Sequence, residues 1–232
     1  MLIKQLYKPS LKINIINYFF RSISKFIISF FLIDKIKRFS NSFQQTLNTY
    51  LKVNFRNKIY YFKDGHERLY WRYKTQFYEE KELCDWIDTF EKKDIFCDIG
   101  SNVGMFSIYA AKKKILTYSI EPHPSNIDFL YWNTYLNKVT RNIIVMPLAL
   151  SKNSILTDFI MRDITPGVAR NYLEEKVKNS KLINFKFLSI SFDEIIKIYK
   201  LKYPTKMKLD VDGNELDILK GMNKCLNQIN EL

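Results

Sequence analysis

The chain is expected to fold as an α/β protein whose parallel sheet is covered by helices on both faces. Three observations carry that expectation. Ile95-Phe96-Cys97-Asp98-Ile99 is a short apolar run interrupted by one acid, followed by Gly100-Ser101-Asn102-Val103-Gly104 and the apolar-periodic Met105 to Ala111. This is the pattern of a buried parallel strand, a tight turn and a helix N-terminus. Thr117-Tyr118-Ser119-Ile120 then reads as a second strand ending in Glu121, 21 residues after Gly100. An acid about 20 residues beyond a glycine turn is where a nucleotide-binding α/β sheet holds ribose hydroxyls. Beyond it, strand-like and helix-like runs alternate, as a doubly covered parallel sheet requires.

At 232 residues the chain suits one α/β domain with an extension. Its 37 basic residues against 24 acidic give a net charge of +13. Such a balance suits nucleic acid, an anionic membrane surface or acidic substrates. However, Lys, Asn, Ile, Tyr and Phe are abundant throughout and the lysines form no single block, so the charge reads first as compositional. Cys84, Cys97 and Cys225 show no CxxC spacing. Three unpaired, reduced thiols fit a cytoplasmic protein without structural zinc.

From Lys12 to Phe39 the chain is rich in Ile and Phe, with Ile13, Ile16, Phe20, Ile23, Ile27 and Phe30 at helical spacing. Arg21 and Lys25 divide it into runs too short for a bilayer-spanning helix, which needs about 20 apolar residues. No small-residue cleavage site marks a signal peptide. The segment is expected to pack on the domain or a partner. The alternative is a basic amphipathic helix at residues 12–39, peripheral on the inner membrane face.

Val53–Phe55 and Lys58–Phe62 suggest an irregular pair of short strands, and Asp64-Gly65 a turn. His66, Tyr70, Trp71 and Tyr73 read as amphipathic surface and core, with a pocket lining as the alternative. Glu79 to Glu91 reads as a helix carrying Leu83, Trp86, Ile87 and Phe90 on one face, and the second domain is expected to begin near it. The division is therefore an extension over residues 1–75 and a sheet domain over 76–232.

After the glycine turn the expected elements are a helix over Val103–Lys113, a strand over Ile115–Ile120, a helix over Ser125–Asn137 and a strand over Asn142–Leu150. Ser125, after Pro122 and Pro124, is placed to cap its helix. Ile155–Met161 and Asn184–Ile190 read as further strands, and the polar Arg162–Lys181 as a loop or lid over the site. Ser191-Phe192-Asp193-Glu194 has capping-box spacing at the start of a helix to Lys200. Met207 to Gly213 is a strand running into acids, followed by a helix over Asn214–Lys220 with Gly221 as its stop.

Taken together, Ile95–Gly104, Glu121-Pro122-His123-Pro124 and Leu209-Asp210-Val211-Asp212-Gly213-Asn214-Glu215 resemble the FkbM-type S-adenosylmethionine-dependent methyltransferases. Phe77-Tyr78-Glu79, Leu130 to Asn137, Ala149-Leu150-Ser151 and Asp217-Ile218-Leu219-Lys220-Gly221 extend the resemblance from about Tyr78 to the end. Several blocks in the right order are far more specific than any one alone. The resemblance implies a Rossmann-like class I methyltransferase sheet and S-adenosylmethionine as cofactor.

By that resemblance Gly100, Ser101, Asn102 and Gly104 hold the methionine portion, and Asp98 is oriented toward its amino group or braces the turn. Glu121 takes both ribose hydroxyls, a task suited to a carboxylate with two acceptor oxygens. Ala149 and Leu150, ending the third strand, lie near the adenine, and Asp210 lies beside the methyl group. The implied chemistry is in-line methyl transfer to an acceptor oxygen, in which the protein supplies alignment, water exclusion and one general base. Asp210 is the first candidate for that base, then His123 and Asp212. His123 reads equally as an exposed turn residue. Asp210 and Asp212 could instead cap a helix, and a metal role is not expected for want of further ligands.

The acceptor implied is a sugar hydroxyl of a glycan, or a related small molecule, with no nucleic acid. The contrasting reading is a non-catalytic or degenerate protein that binds a membrane or nucleic acid through its basic residues. Asp212 stands where the family usually has Glu, and Asn214 where a small residue is usual. A sheet of this kind normally has seven strands, and the chain reaches Leu232 as the fifth is due. The last strands are therefore expected to be missing, so that either the chain is a fragment or the N-terminal segment or a second subunit covers the exposed sheet edge.

Overall fold

The structure is a computed structural model, which describes residues 18–26, 33–46, 50–168, 172–174, 183–229 and 231. It divides into two compact units, Met1–Leu51 and Lys52–Leu232.

In the first unit, residues 18–26 (α1) and Ile33–Thr46 (α2) are helical. Every residue of α1 is exposed, with Phe19 at 61% and Phe26 at 67%. Phe39 and Phe43, one turn apart on α2, are also exposed and stack on each other. Ile13, Ile16, Ile27 and Phe30 lie outside the described residues. Among the described residues no helix is long and apolar enough to cross a membrane.

The second unit takes up strands β1 (Tyr50–Phe55) and β2 (Lys58–Lys63), helices α3 (Glu67–Glu79) and α4 (Lys81–Asp88), then β3 (Ile95–Ile99), α5 (Met105–Ala111), β4 (Leu116–Ile120), α6 (Pro124–Leu136) and β5 (Ile143–Met146). It continues with β6 (Ala149–Leu150), β7 (Ile155–Met161), β8 (Tyr172–Glu174), β9 (Ile183–Ile190), α7 (Phe192–Tyr199), β10 (Lys206–Leu209), α8 (Glu215–Lys220) and α9 (Asn223–Leu226).

β1 and β2 form a regular hairpin. Arg56 and Asn57 both have positive φ, which matches the twist of a two-residue connection. From Lys52 onward the hairpin lies in the second compact unit. Its anchor is α6. Asn133 Oδ1 accepts the Lys63 N–H at 2.6 Å, and Asn137 Oδ1 accepts the Tyr61 N–H at 3.0 Å.

The expected helix over Glu79–Glu91 is two helices that meet at Glu80, and the first begins twelve residues earlier. His66 caps it by accepting the Arg68 N–H on Nδ1. Leu69, Tyr73 and Phe77, spaced by four, bury one stripe of α3. Tyr73 stacks on Phe62 of the hairpin with ring centroids 4.5 Å apart.

The central sheet has the order β10-β3-β4-β5, all parallel. Alternation along β3 sends Ile95, Cys97 and Ile99 to a face packed by Phe192, Ile195 and Ile196 of α7, Ile218 of α8 and Cys225 of α9. Phe96 and Asp98 face the other way, the side on which Ser107 of α5 lies. All three cysteines are free and buried. Glu231 forms an isolated parallel bridge with Lys206, and its carbonyl accepts the Met207 N–H, so chain beyond α9 reaches the open side of β10.

Three local expectations are corrected. Asn142–Leu150 is not one strand: Pro147 has no N–H for the ladder, and β6 leaves to pair with β9 in a second sheet of order β6-β9-β7-β8. Within that sheet β7 pairs antiparallel with β9, so those strands do not extend the parallel one. Ser125 is not the cap of α6. His123 holds that position with Pro124 at the first turn, and Ser125 donates to the Ile164 carbonyl. The Ser191–Glu194 box does not close, because Glu194 is taken by the Ser154 hydroxyl.

Candidate active site

The carboxyl ends of β3, β4 and β10 meet at an open cleft enclosing about 730 Å³, its mouth included. In open α/β sheets ligands bind in this position. The glycine turn forms its floor. Gly100 has φ +77, and a Cβ there would lie 2.0 Å from the Asp210 carbonyl oxygen. The turn is pinned from behind, since Gly100 and Ser101 N–H both donate to the Ile120 carbonyl at 3.0 Å. Gly104, also at positive φ, starts α5, where a Cβ would meet Leu130 Cδ1 at 2.2 Å. The two glycines thus let β10 and α6 close onto the turn.

Glu121, at the end of β4, is buried against this turn. Oε2 accepts the Asn102 N–H at 2.8 Å, while Oε1 accepts the His123 N–H at 2.9 Å and Asn126 Nδ2–H at 3.2 Å. A carboxylate has about four acceptor sites, so capacity remains for a hydroxyl ligand. Burial raises its pKa above the ordinary carboxylate value, and the three donors only partly offset that.

A polar row crosses the sheet beneath the cleft. The register places Lys208 beside Asp98 and Asp98 beside Ser119. Asp98 Oδ2 accepts the Ser107 hydroxyl at 2.6 Å, and Oδ1 makes a charge contact with Lys208 Nζ at 3.4 Å. Lys208 also reaches Asp210 Oδ2 at 3.2 Å. Burial alone would lower the Lys208 pKa, but the charges of Asp98 and Asp210 outweigh it and hold it above the usual value. Lys208 is therefore a fixed cation at neutral pH.

Residues Asp163 to Val168 lie against the other side. Asn126 Oδ1 accepts the Gly167 N–H at 2.7 Å, Arg72 donates to the Gly167 carbonyl at 3.1 Å, and Asn102 Nδ2 donates to the Val168 carbonyl at 3.3 Å. This covers the first part of the segment expected as a lid; residues 169–171 and 175–181 of it lie outside the described residues. Arg72 and Gln76, one turn apart on α3, complete the wall, with Arg72 Nη1 donating to Gln76 Oε1 at 3.3 Å. Beside the cleft is a more apolar compartment lined by Ile120, Leu148, Ala149, Leu150, Phe159 and Ile218.

Of the residues singled out from sequence, Gly100, Ser101, Asn102, Glu121, Asp210 and Asp212 line the cleft together. Ala149 and Leu150 line the adjoining compartment, though from the second sheet and not from the end of the third strand. Gly104 supports the turn from outside the cleft. Asp98 lies below it within β3, tied to Ser107 and Lys208 instead of to the turn. His123 is fully buried, with Nε2 3.0 Å from the Asp163 carbonyl and Nδ1 without a hydrogen-bond partner among the described residues, and it does not line the cleft. A carbonyl only accepts, so Nε2 carries the proton and the ring orders the segment after β7. Nor is His123 an exposed turn residue. Asp210 and Asp212 do not hold the cap position of α8, which Asn214 occupies without a side-chain hydrogen bond. Among the described residues no group of three or more His, Cys, Asp or Glu side chains is arranged to hold a metal ion.

Sequence reasoning missed Arg72, Gln76, Asn126 and Lys208. The four-residue spacing of Leu69, Tyr73 and Phe77 was available as a signal that residues 67–79 form a helix, which would have set Arg72 and Gln76 on one face. Nothing in one dimension shows that this helix meets the glycine turn.

The arrangement suits a nucleoside carrying a charged tail. It offers a buried carboxylate for hydroxyls, an apolar compartment for a base, a turn without Cβ atoms for close approach and cations at the far wall. The model of the methyltransferase FkbM domain matches residues 94–230. The hexuronic acid methyltransferase AglP of Haloferax volcanii is 27% identical over 160 residues, covering 69% of this chain and 63% of that protein. A tRNA (guanine(37)-N(1))-methyltransferase of Dictyostelium discoideum is 35% identical over 83 residues, covering 35% of this chain and 17% of its own. The chain thus spans less than two thirds of either relative. Among solved structures, the precorrin-6y C5,15-methyltransferase from Geobacter metallireducens is 12% identical with a TM-score of 0.39, over 65% of this chain and 56% of its own. M. jannaschii TYW2 in complex with AdoMet is 21% identical with a TM-score of 0.31, over 42% of each chain. The chain belongs to the FkbM methyltransferase family, and its cofactor is S-adenosylmethionine.

Proposed function

We propose that this chain methylates a sugar oxygen in a glycan or a related small molecule. The observation that carries this reading is Asp210. It stands at the carboxyl end of β10 on the cleft rim, its side chain 74% exposed, with one oxygen held by Lys208 and the other left for an acceptor hydroxyl. The match to a hexuronic acid methyltransferase over 160 residues supports a sugar as that acceptor.

The cofactor supplies an activated methyl group, so the chain's residues have only to align, exclude water and manage one proton. Gly100 to Asn102 would hold the methionine portion, Glu121 the ribose hydroxyls, and Ala149 and Leu150 the adenine. Asp210 would take the acceptor's proton, and Lys208 would keep that carboxylate at the rim. Asp212, exposed on the same rim, is the second candidate for the base.

Asp210→Asn should lower kcat by about 10²- to 10⁴-fold, the usual contribution of a positioned base. Its affinity for S-adenosylhomocysteine should change less than about twofold, since no hydrogen bond to a charged group is lost there. Transfer of labelled methyl groups to a panel of uronic acids, neutral oligosaccharides and tRNA transcripts measures both acceptor and rate. Full turnover by the variant would remove Asp210 as the base. Transfer to tRNA alone would overturn the sugar reading.

We also propose that the first unit rests on an anionic bilayer surface. Residues 1–51 hold eight Lys and Arg against one Asp, and α1 exposes Phe19, Phe20, Ile23 and Phe26. A basic helix with aromatic residues on its apolar face binds such surfaces. The full chain should sediment with vesicles containing anionic lipid, less so at high salt, and the double variant Phe19→Ser/Phe26→Ser should remain in the supernatant. Equal recovery with neutral vesicles, or none at low salt, would refute the contact.

A further inference from the structure

Two cations line the cleft, and their situations differ. Lys208 is neutralised by Asp98 and Asp210. Arg72 has no carboxylate within ion-pair distance among the described residues; its hydrogen bonds go to the neutral Gly167 carbonyl and the Gln76 amide oxygen. Burial weighs against its charge and lowers its pKa, although Glu80, Tyr73 and Asp210 act the other way. A guanidinium still stays protonated, so the cost is borne as an unpaired charge in a low-dielectric wall. Such a group is stable in a cleft when an anion completes it.

The geometry points to Arg72 as the residue that receives the methionine carboxylate of S-adenosylmethionine. That carboxylate is the cofactor's one anionic group; the sulfonium and the amine are positive. Arg72 shares the cleft with Gly100, Ser101 and Asn102. Its bonds to Gly167 and Gln76 use two of five N–H donors and fix the plane of the fork, leaving donors for a paired contact to a carboxylate. Gln76 acts as a positioning residue, because its amide holds Nη1 from one turn further along α3. The assignment does not depend on which acceptor is methylated.

The test is calorimetric titration of the full chain with S-adenosylhomocysteine and with its decarboxylated analogue, S-adenosyl-3-thiopropylamine. Wild type should prefer the carboxylate-bearing ligand by about 10- to 150-fold, the range for hydrogen bonds to a charged group. Arg72→Gln should lose that preference, binding S-adenosylhomocysteine weakly and the analogue as well as wild type does. Arg72→Lys should keep the charge but recover only part of the preference, because an ammonium cannot offer the planar fork. Equal weakening of both ligands by Arg72→Gln would show a merely structural role and overturn the assignment. So would a wild type that does not distinguish the two ligands, a measurement that holds even if the glutamine variant fails to fold. Unchanged binding of both ligands by the variant would overturn it too, and would place an acceptor's anion at Arg72 instead.

Discussion

Gly100→Ala should abolish S-adenosylmethionine binding and lower stability by on the order of 3 kcal/mol. Two costs combine. At φ +77 an L side chain crowds its own backbone, and the new Cβ would sit 2.0 Å from the Asp210 carbonyl oxygen and 2.9 Å from its carbon. Both are backbone atoms, and the Asp210 N–H is tied to the Ile99 carbonyl at 3.1 Å, so neither side can yield without opening β10 from the turn. Gly213→Ala is the control, since Gly213 also has positive φ (+106) but a Cβ there meets nothing within 4 Å. Thermal melts and calorimetry on both variants separate backbone strain from collision. If Gly100→Ala bound the cofactor as well as Gly213→Ala, the turn would not be the floor of the site.

The second large effect is expected at Glu121. Glu121→Ala removes the acceptor for three donors, the N–H groups of Asn102 and His123 and the Asn126 amide. Each buried donor left unpaired costs about 1–3 kcal/mol, so the variant should lose stability as well as cofactor affinity. The pH dependence distinguishes the two roles. Because burial raises the folded-state pKa, the folded chain binds the proton more tightly than the unfolded one. The Glu121 contribution to stability is therefore fully present below the unfolded pKa and is lost as pH rises through the raised folded value. Cofactor binding should run in the opposite sense. Protonation takes away an acceptor, so affinity should fall as pH drops through that same raised value. Calorimetry across mildly acidic pH, with Glu121→Gln as the variant lacking this titration, measures the effect. Parallel pH profiles for wild type and Glu121→Gln would exclude Glu121 from cofactor binding.

The site was legible wherever chemistry is local in sequence. The turn after β3, the acid after β4 and the acids after β10 each follow a strand within one to three residues, and a parallel sheet delivers consecutive carboxyl ends to one side. His123 shows the limit of that reasoning. It is two residues from Glu121, yet the first turn of α6 directs its ring to Asp163, away from the cleft. Asp98 shows another limit, since strand alternation turns it to the face that Ser107 reaches, below the turn it precedes.

By itself the sequence determined the parallel sheet, the place of the cofactor turn and the acids around it, because strand period, glycine conformation and capping act over a few residues. The tertiary structure alone decided which polar groups meet. Arg72 on α3, Asn126 on α6, Gly167 beyond β7 and Lys208 on β10 are separated by tens of residues and joined through a cleft, a register and two hydrogen bonds. Long-range contacts of that kind depend on how whole elements pack, and no periodicity in the chain records them.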